Sequence, residues 1–93
     1  MAQMTIYTGQ NFTGDHIVIT DNTYYIGPNF NDQIRSVKVD SGTFTLYQHA
    51  GYSGYSVTVS QYGGDTSSNG AYPSPSFLGG ATDYSSVYKN SDN

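Results

Sequence analysis

Ninety-three residues with a net charge of −4 fit one small domain, which by surface scaling buries roughly 60–68% of the surface its unfolded chain exposes. Seven Asp, no Glu and three basic residues argue against nucleic acid, whose binding needs clustered Lys and Arg. The lack of Cys excludes disulfides and thiolate chemistry, so a fold this small must do without staples or draw help from a ligand or metal.

Ten Tyr make the expected core ring-rich, each hydroxyl wanting a partner, while eleven Gly with many Ser, Thr and Asn favour short strands and tight turns over helix. The opening MAQMTIYTG has no charged leader or apolar run, and no stretch approaches membrane-spanning length. The expectation is a soluble protein with no membrane partner and no export signal, cytoplasmic by preference.

In chain order, the first expected element is a hairpin over IYTGQNFTGDHIVIT, residues 6–20. Ile17 and Ile19 alternate with His16, Val18 and Thr20, the period of a half-buried strand. Asn11-Phe12-Thr13 is formally a glycosylation sequon, but a hairpin turn is the simpler reason for it. Next, Arg35, Val37 and Val39 alternate with Ser36 and Lys38. A second hairpin covers LYQHAGYSGYSVTVS, residues 46–60, where Tyr55, Val57 and Val59 alternate with Ser56, Thr58 and Ser60. Residues 61–80 read as a long connection: Pro73 and Pro75 exclude a central strand, Asn69-Gly70 marks a turn, and Tyr72, Phe77 and Leu78 are the expected anchors. As an exposed loop it is also a candidate surface for a protein or a sugar. SSVYK at 85–89 closes the series, and no window carries a sustained helical stripe.

The two hairpins are copies. Tyr7 lies over Tyr47, Phe12 over Tyr52 and Gly14 over Gly54, an offset of 40 residues, while Ser36 lies over Ser86 at an offset of 50. Each aromatic pair can stack if its hairpin folds over itself; the glycine then makes a turn that a Cβ would obstruct, and the distant serine ties the hairpin down by bonding its backbone. Two copies of about four strands each predict an all-β sandwich of two Greek-key motifs, spanning about 4–40 and 43–90 of a single domain, residues 1–93.

An aromatic, a second aromatic, a glycine and a distant serine, twice over and covering nearly the whole chain, resemble the βγ-crystallins. The likeness is to single-domain microbial and invertebrate members and to protein S domains rather than to two-domain lens proteins. Many microbial members bind Ca²⁺ through a stretch N/D-N/D-x-x-S/T-S that ends at the motif serine. Here NDQIRS at 31–36 has Arg35 at the fifth position, and ATDYSS at 81–86 has lost the opening pair. The resemblance implies composite sites. One would collect the Ser85 hydroxyl, the Asp83 carbonyl, the Asp32 carboxylate and the Gln10 carbonyl, with water completing six to eight oxygens. The other would need Arg35, the Gln33 carbonyl, Thr82 and the Ala50 carbonyl, and so has gained a guanidinium and lost a carboxylate. With one coordinating carboxylate, the expected affinity is about 10⁻⁵–10⁻³ M. Arg35 is expected to stand in the second place as a built-in cation paired with a carboxylate or carbonyls.

Catalysis finds little support. His16 and His49 lack a further zinc ligand and read as solvated surface, and there is no phosphate loop leading into a helix and no GxSxG. The resulting expectation is a non-enzymatic structural or stress-related module whose one residual calcium ion stabilises the fold. The same fold without metal, both stretches being only polar turns, and a loop-mediated inhibitor or toxin-like binder stand as the alternatives.

Overall fold

Alternation of apolar and polar residues sets the strands, and the positive-φ residues set their ends. In the computed structural model, which describes residues 1–65 and 68–93, these are β1 (Gln3–Gly9), β2 (Thr13–Ile19), β3 (Ser36–Ser41), β4 (Thr43–His49), β5 (Ser53–Ser60), β6 (Ala71–Tyr72) and β7 (Ser86–Ser91), with one 3-10 turn at Pro75–Phe77. They form two antiparallel sheets, ordered β2-β1-β3-β6 and β5-β4-β7. The inward sets, Met4 and Ile6, Val37 and Val39, Phe44 and Leu46, are buried between the sheets with Ile34, Leu78 and Tyr84. The all-β, two-motif sandwich expected from the repeat is therefore the observed architecture.

The repeat is also visible in the register. Tyr7 pairs with His16 and Ser36, and Tyr47 with Ser56 and Ser86; both first strands slip register just after the tyrosine. That slip folds each hairpin over, bringing Tyr7 and Phe12 edge to face at 5.8 Å and Tyr47 and Tyr52 at 6.2 Å. Gly14 has φ +81°, and a Cβ there would stand 2.5 Å from the Thr8 hydroxyl. Ser36 and Ser86, both fully buried, tie the hairpins down. The Ser36 hydroxyl donates to Gly9 O at 2.6 Å and accepts from Phe12 N at 3.0 Å. Ser86 does the same with His49 O at 2.6 Å and Tyr52 N at 3.1 Å.

Each motif lends backbone to the other's sheet. Ala71 and Tyr72 leave the second motif to pair with Lys38 and Val37 at the edge of the first sheet. In exchange Thr23 bridges Val87 at the edge of the second, through bonds of 2.8 and 3.0 Å. Part of the 61–80 connection is thus an edge strand, a place where the following Pro73 costs no ladder bond. Tyr72 and Leu78 anchor it as expected, but Phe77 does not: it is 40% exposed, on the outer side of the 3-10 turn.

Candidate metal centre

The two loops that precede the motif serines are built alike. In the first, Asn31 N and Gln33 N donate to Gly27 O and Phe30 O at 2.9 and 3.0 Å, and Asp32 takes a left-handed φ of 62° that an Asp tolerates. Ile34 is buried as a plug, and Arg35 N donates to Tyr7 O at 3.0 Å. In the second, Tyr84 is the buried plug, its hydroxyl donating to Leu78 O at 2.6 Å, and Ser85 N donates to Tyr47 O at 2.8 Å. The loops also meet each other, Asp32 N donating to Tyr84 O at 3.2 Å. That contact carries Asp32 of one motif to Ser85 of the other.

Between the loops lies an open cavity of about 300 Å³, lined by Asn31, Asp32, Gln48, His49, Asp83 and Ser85. Three of the four expected ligand residues, Asp32, Asp83 and Ser85, are together there. The Ser85 hydroxyl donates to the Asn31 amide oxygen. One Asp83 carboxylate oxygen accepts the Tyr55 hydroxyl, and the other lies 3.5 Å from the Gln48 amide nitrogen. The Tyr55 bond holds the Asp83 carboxyl below the usual carboxylate range and pushes the Tyr55 phenol up to about 12. Asp83 thus stands as a carboxylate at neutral pH.

The fourth residue, Gln10, is elsewhere: it is exposed, and its carbonyl accepts the Thr13 hydroxyl at 2.6 Å. The reason lies in the serine ties. Ser86 holds the hairpin of its own motif at His49 and Tyr52, so the hairpin beside Ser85 carries Gln48 and His49. Ser36 likewise keeps the Gln10 hairpin on the Arg35 side. By the same token Ala50 belongs to the hairpin that Ser86 holds.

Arg35 lies on the side of the Gln10 hairpin and is held by oxygens. Its guanidinium donates to Thr8 O at 3.1 Å, to Gln33 O at 3.4 Å and to the Gln33 side-chain oxygen at 3.1 Å. Its partners are carbonyl and amide oxygens, Gln33 O being one of those assigned to the second site. Among the described residues no three His or Asp are placed to share an ion. A cation here would therefore rely on hydroxyl, amide and carbonyl oxygens beside one or two carboxylates, a donor set suited to Ca²⁺ and poor for zinc. His16 is exposed against the Tyr7 ring at 5.6 Å.

The family model described as Beta/Gamma crystallin matches residues 3–89. The chain belongs to the βγ-crystallin family. A solved βγ-crystallin from Ciona intestinalis superposes with a TM-score of 0.80 at 26% identity, covering 95% of this chain and 99% of that one. A βγ-crystallin from an archaeon superposes at 0.79 with 29% identity, covering 95% and 96%. Human beta-crystallin A3 is 34% identical over 68 residues, which is 69% of this chain and 32% of that protein. The chain spans about a third of the length of that curated relative.

For this βγ-crystallin, sequence reasoning missed Asn31, Gln48 and His49 at the cavity, and Tyr55, which bonds Asp83 from outside its lining. The signal for the hairpin pair was present, since a tie from Ser86 to its own hairpin already implies that Gln48 and His49 neighbour Ser85. Tyr55 gave none, because the equivalent position of the first copy is Asp15.

Proposed function

We propose that this βγ-crystallin is a non-enzymatic structural module stabilised by one Ca²⁺ at the cavity between its two motifs. The carrying observation is the convergence of Asp32, from the first motif, with Asp83 and Ser85, from the second, on one open cavity. Asp32 would give a carboxylate, Ser85 its hydroxyl, Asn31 its amide oxygen and Asp83 an oxygen. The Gln48–His49 end of β4 takes the hairpin's part in place of Gln10. When bound, the ion would supply a cross-link between loops 51 residues apart in sequence at Asp32 and Asp83. Because that cross-link exists only in the folded chain, it stabilises by mass action.

Thermal melting in Ca²⁺ and in EDTA tests the reading. At a hundredfold excess over the dissociation constant the ion adds about 2.7 kcal/mol, a rise of roughly 10–20 °C for a domain of this size. Identical melting in the two buffers would leave the metal-free structural module. One observation favours that second reading: among the described residues every buried side-chain polar atom already has a partner.

A further inference from the structure

The internal repeat gives this cavity a template within the same molecule. Gln33 and Asp83 occupy equivalent positions of the two loops, two residues before Arg35 and Ser85. At the first loop the Gln33 side-chain oxygen, and not only its carbonyl, meets a positive charge, lying 3.1 Å from the Arg35 guanidinium. At the second loop the equivalent side chain is a carboxylate, the better partner for a cation, and it lines the cavity. It is not free, however. One of its oxygens accepts the hydroxyl of Tyr55, a residue outside the cavity lining, while the other is held only loosely by Gln48 at 3.5 Å. No tyrosine stands at the matching place of the first copy, which is Asp15.

We propose that Asp83 serves the cation with its side-chain carboxylate, and that the Tyr55 hydroxyl is a gate that competes with the ion for that carboxylate. This rests on the calcium reading of the cavity and adds an affinity-setting residue to it. A carboxylate oxygen that accepts a phenol O–H has less charge and fewer lone-pair directions to offer an ion. Bidentate contact through both oxygens puts the ion in competition with the Tyr55 hydroxyl for the oxygen it holds. The gate residue lies on β5, 28 residues from its partner, and is 47% exposed, so its hydroxyl has water to turn to when it lets go. The bond thus lends the fold a contact while the cavity is empty and lowers affinity for the ion.

The two effects carry opposite signs, which makes the test specific. Calorimetry with Ca²⁺ on Tyr55→Phe should show binding about 2- to 10-fold tighter than wild type, the factor carried by one ordinary hydrogen bond. In EDTA the same variant should melt slightly below wild type. Asp83→Asn keeps the backbone carbonyl and the side-chain shape; it should bind at least about tenfold more weakly. Combining Tyr55→Phe with Asp83→Asn should give no gain over Asp83→Asn alone, since the carboxylate for which hydroxyl and ion compete is then gone. Unchanged affinity in Asp83→Asn would overturn the carboxylate's role. Unchanged or weaker binding in Tyr55→Phe, or the same gain with and without Asp83, would overturn the gate. A wild type that shows neither heat nor a melting shift with Ca²⁺ would remove the calcium reading itself, and the gate with it.

Discussion

The Ser36 hydroxyl accepts a hydrogen bond from the Phe12 amide at 3.0 Å, across 24 residues of chain, and Ser36 is fully buried. The same oxygen donates to Gly9 O, so one side chain closes both sides of the folded hairpin turn. Ser36→Ala leaves a donor and an acceptor without partners. The expected cost is about 1–3 kcal/mol, or roughly 5–20 °C in melting midpoint. Ser86→Ala should cost about the same, because its two bonds repeat the geometry. A shift under 2 °C for both, on the order of an ordinary surface substitution, would show that the serine ties are incidental.

Removing either side of the composite cavity should remove calcium's effect. Asp32→Asn suits the left-handed backbone at φ 62° while deleting the charge, which Asp32→Ala would not do without added strain. Asp32→Asn and Ser85→Ala should each cut the Ca²⁺-linked rise in melting to less than half, with little change in EDTA. Scanning calorimetry of the three proteins in both buffers decides it. Full retention of the shift in Asp32→Asn would place the ion somewhere other than this cavity.

Arg35→Ser should act in two ways. Without calcium, Thr8 O and Gln33 lose a charged donor, costing about 1 kcal/mol. With calcium, a hydroxyl replaces a guanidinium in the second place, so binding stoichiometry by calorimetry should rise from one toward two, the new site being the weaker. Adding Thr82→Asp should strengthen that site. If the double variant still takes one ion, Arg35 does not occupy a cation's place.

At the other end of the sandwich, Asp92 accepts the Ala2 amide at 3.0 Å and pairs with Lys89 at 3.2 Å, fastening the two ends of the described chain together. The Ala2 bond, aided by Lys89, holds the Asp92 carboxyl below the usual range. A depressed folded-state pKa means stabilisation that is present above the unfolded value and lost as pH falls through the folded one. Asp92→Ala should therefore melt below wild type at neutral pH, and the gap should close in strong acid. A gap that stays constant from neutral to acid pH would assign the loss to something other than this carboxylate.

Much of the fold was legible because the repeat places identical chemistry in identical roles: Tyr7 and Tyr47, Gly14 and Gly54, Ser36 and Ser86 each do one job twice. Legibility failed where the copies differ or where pairing is ambiguous under exchange. The family pattern points to the Gln10 hairpin as the partner of Ser85, although the expected tie from Ser86 to its own hairpin already favours Gln48. Tyr72 looked like a loop anchor because nothing in the first copy aligns with it, yet its backbone extends the first sheet. Phe77 looked like an anchor by hydrophobicity alone, and the 3-10 turn at Pro75 directs it outward. Tyr55 meets Asp83 through a bond that neither periodicity nor repeat could announce.

The strand exchange bears on what happens when this protein is partly damaged. Ala71 and Tyr72 cover the open side of β3, and Thr23 covers that of β7, each supplied by the other motif. Loosening one motif therefore strips a cover from the other, baring N–H and C=O groups on a strand that is still formed. A bared strand of that kind is a template on which a second copy can add. The hazardous species is then the half-open molecule rather than the unfolded one, and a ligand that clamps the two loops together would act first as protection against self-association.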